Sequence, residues 1–189
     1  MRAKPELLIP ASSLEVLKIA VIFGADAVYI GGEAFGLRAK ARNFSMEDMK
    51  EGIEFAHQHH VKVYVTANIL AHNKDLDGVR EYFRELKEIR PDALIISDPG
   101  VFMIAKEVCP EIERHISTQA NNTNYETYKF WYGLGAKRQN GKYGSDSWWG
   151  CKRVCMGAYC GADSQQRHYT CCSRFYGSQI EGVIQWKIA

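Results

Sequence analysis

Short polar residues follow a series of apolar runs in this chain, and they are its first candidates for chemistry. Thr66 and Asn68 follow Val63-Tyr64-Val65, Asp98 follows Ala93-Leu94-Ile95-Ile96, and Ser117, Thr118 and Gln119 follow His115-Ile116. Amides and a carboxylate at successive run ends can build a pocket for a polar ligand, and Asp98 and Gln119 are its catalytic candidates, Gln119 through ligand contact. Asp98 also precedes Pro99, so the same carboxylate suits a helix N-cap. Residues 31–44 hold a second set. Arg38, Lys40 and Arg42 alternate there, followed by Asn43. Three cations on one loop suit a carboxylate, a phosphate or an RNA backbone, while Leu37, Ala39 and Ala41 between them remain free to pack. Asn68 and His72, after the third run, complete the substrate-binding candidates together with Arg38, Arg42 and Asn43.

Metal chemistry has fewer supports. His57, His59 and His60 sit near the end of an amphipathic stretch, where imidazoles complement a helix dipole. Five of the six cysteines fall after residue 150: Cys151, Cys155, Cys160, Cys171 and Cys172. Zinc ribbons use close Cys-x2-Cys pairs, and this spacing has none. Iron–sulfur ligation accepts more spacings, so Cys151, Cys155, Cys160 and Cys171 are the candidate ligands of a cluster. The chain has no His-Glu-x-x-His and no Gly-x-Ser-x-Gly.

The runs that carry these residues alternate with helical patterns. Leu7-Leu8-Ile9-Pro10, Ala27–Ile30, Val61–Thr66, Ala93–Ile96 and His115–Thr118 read as strands buried on both faces. Between them, Leu14, Leu17, Ala20 and Val21 form one apolar stripe, with Ser12 and Glu15 as its capping box. Met46, Met49, Ile53 and Ala56 form a second behind Ser45 and Asp48. Leu76, Val79, Phe83 and Leu86 form a third. A fourth helix opens at Asp98-Pro99, and a fifth spans Tyr125–Leu134. Strict alternation implies an α/β fold with a parallel sheet and outer helices. Pro10-Ala11-Ser12-Ser13 follows the first strand without the glycines of a dinucleotide-binding turn. The even recurrence favours about five βα units of a (β/α)8 TIM-type barrel, in which functional groups collect at the carboxyl ends of strands.

The chain divides near Arg138. Residues 1–138 carry a net charge of −1, and residues 139–189 carry +3 with six basic and three acidic residues. Any attraction to nucleic acid through bulk charge therefore belongs to the second part. At 189 residues, 46% hydrophobic and 24% charged, the composition is that of an ordinary globular protein. No run approaches the roughly 18 apolar residues of a membrane span, and the apolar stretch at residues 7–10 is short for a signal peptide. A cytoplasmic protein without a membrane partner is expected.

Specific stretches resemble a known family. Glu6-Leu7-Leu8-Ile9-Pro10-Ala11-Ser12-Ser13-Leu14-Glu15 and Gly24-Ala25-Asp26-Ala27-Val28-Tyr29-Ile30-Gly31-Gly32 resemble the opening of the peptidase U32 (collagenase-like protease) family. Arg38-Ala39-Lys40-Ala41-Arg42-Asn43-Phe44, Val63-Tyr64-Val65-Thr66-Ala67-Asn68 and Ser117-Thr118-Gln119 resemble further signatures in the same order. The resemblance covers about residues 5–138. It implies the N-terminal part of a barrel and a longer enzyme. It also implies hydroxylation of a tRNA or rRNA base, or of a small aromatic substrate, with prephenate as hydroxyl donor and an iron–sulfur cluster as cofactor. A peptidase acting on collagen-like or other peptides is the alternative, and an inactive barrel fragment that binds a small anion is another. Small carboxylates and RNA are the implied partners.

Beyond Arg138 the resemblance stops. Gln139-Asn140-Gly141-Lys142-Tyr143-Gly144-Ser145 is polar and glycine-rich, which argues against a sixth strand, and Trp148-Trp149 and Cys171-Cys172 follow. The composition fits a Cys/Trp-rich tail that is irregular, frameshifted or disordered. Five units alone leave two open sheet edges, so self-association is expected.

Overall fold

The computed structural model describes residues 6–32, 44–139 and 154–155. Strand and helix alternate as β1 (Glu6–Pro10), α1 (Leu14–Ile22), β2 (Ala27–Gly31), α2 (Met46–Gln58), β3 (Lys62–Ala67), α3 (Leu76–Ile89), β4 (Ala93–Ile96), α4 (Pro99–Val108), β5 (Glu113–Ile116) and α5 (Tyr125–Leu134). Two short strands follow, β6 (Arg138–Gln139) and β7 (Val154–Cys155). Every pairing is parallel, and the sheet order is β6-β5-β4-β3-β2-β1-β7. Among the described residues no helix is long and apolar enough to cross a membrane.

Both faces of the sheet are apolar, which is why the strands read as continuous apolar runs. Val28, Ile30, Val63, Val65, Leu94, Ile96 and Ile116 face the helices and pack on Leu17, Met49, Ile53, Phe83, Leu86 and Phe102. Leu8, Ala27, Tyr64, Ala93 and Ile95 alternate with them on the other face and form a second cluster. The sheet is strongly curled. Glu6 of β1 and Arg138 of β6 are separated by four intervening strands, so in a flat sheet five spacings of about 4.8 Å would hold their backbones ~24 Å apart. Their side chains meet at 2.7 Å. The second face is therefore the concave face of a curled, barrel-like sheet.

Local signals set most of the boundaries. Ser45 Oγ accepts from the Asp48 amide at 3.1 Å and caps α2, and Asp98 Oδ1 accepts from the Val101 amide at 2.9 Å and caps α4. The first helix departs from expectation. Its cap is Ser13, whose hydroxyl accepts from Val16, rather than Ser12 with Glu15. With two adjacent serines, the one immediately before the apolar stripe takes the extended cap conformation. The fifth strand ends at Ile116 rather than Thr118, because the Ser117 hydroxyl turns back to the Gln119 amide and starts a 3-10 turn.

The sharpest departure lies at the far end. Gln139 pairs with Ile116 as the second residue of β6, although its neighbours argued against a sixth strand. Lys137 N donates to Arg114 O at 2.9 Å, so the ladder is already running when the polar stretch begins. Likewise Val154 and Cys155 lie against Glu6 and Leu7, and the β1 edge is covered for two residues rather than open. Other features of the tail lie outside the described residues.

Gly32 closes β2 under a tight ceiling. A Cβ there would overlap the Tyr82 hydroxyl and the Met49 methyl group. Gly32→Ala is expected to destabilise the chain by about 1–3 kcal/mol, the usual cost of overpacking. Chemical denaturation of the two proteins checks this, and equal midpoints would refute it.

Candidate functional site

The carboxyl ends of β3, β4 and β5 bring three of the expected residues near one another. Asn68, half-buried, extends β3 by one residue. Its Nδ2 donates to Ser117 Oγ at 3.4 Å, bridging from β3 to β5 over the end of β4. The same Oγ accepts from the Gln119 amide at 3.2 Å. Ser117 is thus buried with two donors on its oxygen, and it fixes both Asn68 and the turn that presents Gln119. The Gln119 side chain is exposed at that rim. Ser117 stood in the strand-end pattern without a role of its own.

The remaining expectations divide. Asp98 lies at the adjacent strand end, but one carboxylate oxygen is committed to the α4 cap. It makes no hydrogen bond to Asn68, Ser117 or Gln119 among the described residues. Thr66 is spent on the Ile30 carbonyl, at 3.1 Å. His72 is exposed, and its backbone amide donates to Asp75 Oδ2 at 2.8 Å, so it begins the turn into α3 and does not join the cluster. Arg38, Arg42 and Asn43 lie outside the described residues. Their segment leaves from Gly32 and returns at Phe44, where the Phe44 amide donates to the Gly31 carbonyl at 3.0 Å. Both anchors are at the carboxyl end of β2, the same end as Asn68 and Ser117.

His57 and His59 are engaged locally, the first with Asp92 at 2.9 Å and the second with the Phe55 carbonyl at 2.8 Å. Among the described residues no group of three or more His, Cys, Asp or Glu side chains is arranged to hold a metal. Cys109 is a single buried thiol, pushed up to about 11 by burial and then by Glu111. That is the environment of an inert thiol rather than a thiolate ligand. The part of the chain described here does not fit an iron–sulfur cluster. Cys151, Cys160 and Cys171, and the side chain of Cys155, lie outside the described residues.

Below the strand ends is a polar layer that sequence reasoning missed. His115 is two residues before Ser117 on the same face of β5, ~7 Å deeper along the strand. The Glu6 carboxylate receives Tyr64 Oη at 2.7 Å, Arg138 Nη1 at 3.1 Å and Arg138 Nη2 at 2.7 Å. The guanidinium also lies 5.2 Å from the Tyr64 ring centre, and that ring meets His115 edge-on at 4.8 Å. Burial pushes the Glu6 carboxyl up, but the hydrogen bonds from Arg138 and Tyr64 outweigh it and hold it below the usual carboxylate range. Burial, then the Glu6 carboxylate, pushes the Tyr64 phenol well up. Burial, reinforced by the Arg138 charge, brings the His115 imidazole down to about 4. The layer thus holds one tight ion pair and a neutral imidazole, and it floors the barrel beneath Asn68 and Ser117. The one signal for it was strand parity: Glu6 is two residues before Leu8, and Tyr64 shares the face of Leu8, Ala27, Ala93 and Ile95.

Comparison with known proteins places this architecture. The model for peptidase family U32 matches residues 12–140. The chain is 46% identical over 135 residues to tRNA hydroxylation protein P1 of Bacillus subtilis, covering 71% of this chain and 32% of that protein. It is 39% identical over 125 residues to a 23S rRNA 5-hydroxycytidine synthase of Escherichia coli, covering 66% and 18%. The solved structure of the U32 peptidase Mk0906 superposes with a TM-score of 0.60 at 14% identity, over 75% of this chain and 60% of that one. The chain therefore spans about a third or less of the length of these curated relatives. The matched residues contain the whole run of strand ends from β2 to β5, and the chain belongs to peptidase family U32.

Proposed function

We propose that this chain supplies the first part of a U32-type barrel that hydroxylates an RNA base. The observation that carries the reading is the match of 46% to a tRNA hydroxylation protein across the residues that build the strand ends. A relative named for rRNA hydroxycytidine synthesis supports the same substrate class. In this reading the bridged pair Asn68–Ser117 and the exposed Gln119 position the base. Asp98 offers its free oxygen as proton acceptor. Arg38, Arg42 and Asn43, on the loop anchored at the same end, hold phosphate or a small carboxylate. Prephenate is the hydroxyl donor in this proposal, and any iron–sulfur cluster is held by cysteines outside the described residues. The setting is cytoplasmic, where tRNA and ribosomes are.

The peptidase alternative has less support from the site. Among the described residues no serine or cysteine side chain is hydrogen-bonded to a histidine, so no nucleophile–base pair is assembled.

Because the chain spans a third of its relative, the test is a chimera. Residues 6–139 replace the matched segment in the Bacillus subtilis protein, and the gene is returned to cells lacking the original. Mass spectrometry of digested tRNA is expected to recover a nucleoside heavier by one oxygen atom. Asn68→Ala in the chimera is expected to lower its yield about 100-fold, the scale of a lost positioning contact. A chimera that folds and accumulates, yet leaves the tRNA unmodified, sinks the reading.

A further inference from the structure

Gln119 stands on the connection from β5 to α5, and one buried side chain ties that connection to the helix layer. From Thr118 to Thr127 only Asn122 is buried, at 1% exposure. Its Oδ1 accepts from Trp131 Nε1 at 3.0 Å. An indole nitrogen can only donate, so this bond fixes which way the amide lies. Trp131 on α5 is 3% exposed, and its ring centre is 5.4 Å from that of Phe102 on α4, so the anchor rests on two helices. The other bonds of the turn are local. Gln119 N donates to Ser117 Oγ at 3.2 Å, Ala120 N to Ser117 O at 3.1 Å and Asn121 N to Thr118 O at 3.1 Å. Asn121 then passes through the left-handed region, at φ 54°, and delivers Asn122 to the interior. Ser117 ties the front of the turn to β4, its amide donating to the Ile96 carbonyl at 2.8 Å, and Asn122 ties the back to α5.

We infer that Asn122 and Trp131 are positioning residues of the candidate site: their hydrogen bond sets the orientation of the turn that carries Gln119, and the pair is kept for that purpose rather than for stability. Two observations carry this. Asn122 Nδ2 is buried and has no hydrogen-bond partner among the described residues, so the amide brings a stranded donor into the interior along with its one bond. A leucine opposite a phenylalanine would bury the same two positions and strand nothing. What the polar pair supplies instead is direction. Apolar burial has no preferred angle, whereas a hydrogen bond fixes the line of approach. The second observation is the place of the bond, at the back of a turn whose front is already fixed by Ser117. Together the two ties leave the turn one orientation, and Gln119 is exposed at its tip. The catalytic consequence rests on the reading that Gln119 holds the base, but the fixing of the turn does not.

The experiment compares the full 189-residue chain with Asn122→Leu, Trp131→Phe and the double variant. Each single variant strands one buried polar group and is expected to lower the Tm by about 5 °C. The double variant strands neither, so it is expected to melt above the lower of the two singles. Amide hydrogen exchange at Gln119, Ala120 and Asn121, all bonded within the turn, is nonetheless expected to be at least about tenfold faster in the double variant than in the parent, with β3 and β4 unchanged. A pair that served stability alone would give exchange that follows the Tm. A smaller change in exchange therefore overturns the inference, and so does a double variant that melts at or below the lower single. The chimera reads the consequence for chemistry. At equal protein level, the double variant is expected to yield about tenfold less of the modified nucleoside. An unchanged yield overturns the inference for catalysis. A parent chimera that leaves tRNA unmodified sinks the proposed function instead, and hydrogen exchange still decides whether the pair fixes the turn.

Discussion

Arg138→Met is expected to lower the melting temperature of this protein by about 10 °C. The Glu6 and Arg138 side chains are 16% and 18% exposed, so most of the pair is out of water. Removing one member of a buried ion pair leaves the other charged and unpaired, at about 3–5 kcal/mol. Residual exposure argues for the lower end, and ~3 kcal/mol in a domain of this size corresponds to about 10 °C. Tyr64 still donates to Glu6, but it cannot neutralise it. The partner variant separates burial from pairing. Adding Glu6→Gln to Arg138→Met removes the stranded charge, and the double variant should recover more than half of the loss. Calorimetry of the four proteins gives the cycle. Additive single effects would show that the two side chains do not act as a unit.

Acid should weaken the fold earlier than carboxylate chemistry alone would. His115 titrates near 6.5 when unfolded, and burial, with Arg138 nearby, brings it down to about 4 in the fold. As pH falls from 6.5, the unfolded chain takes up the proton first. Stability is therefore full above about pH 6.5 and falls as the pH drops to about 4, by about 3 kcal/mol over that window. The groups facing the ring are Tyr64 from β3, Arg138 from β6, Glu6 from β1 and Glu113 on its own strand. The 3.2 Å contact to the exposed Glu113 opposes the shift without cancelling it. Glu6 acts lower. Its folded carboxyl is below the ordinary value of 4.5, so its contribution is present above that pH and is lost as pH falls further through the depressed value. His115→Phe should flatten the profile between pH 6.5 and about 4 and leave the steeper loss below it. Parallel profiles for the two proteins would contradict this.

The alternation of strands and helices was legible because each strand is buried on both faces and each helix has a stripe and a cap. Ser45 and Asp98 did what their types dictate, and Asn68 and Gln119 came out at strand ends as placed. Asp98 shows the limit of such reading. A residue that caps a helix and ends a strand looks the same in sequence whether or not its second oxygen serves a ligand. The polar layer was not legible because it depends on curl. Glu6 and Arg138 sit on the first and sixth strands and become neighbours only when the sheet folds round. Strand β6 was missed for a related reason, since a two-residue ladder held by its neighbour's backbone needs no apolar pattern of its own.

The Glu6–Arg138 contact joins residues 132 apart in the chain. On the ribosome, at about 5–20 residues per second, β1 must wait roughly 10 s after its own synthesis before its partner exists. Local strand–helix units can form during that interval, but the curl cannot be fixed until Arg138 has emerged. The nascent chain thus carries an unclosed sheet with unpaired edges until Arg138 is made, and closure is a long-range step of the kind that slows folding. A pause or stop in translation just before codon 138 would leave the five described α-helices made and Glu6 without its Arg138 partner.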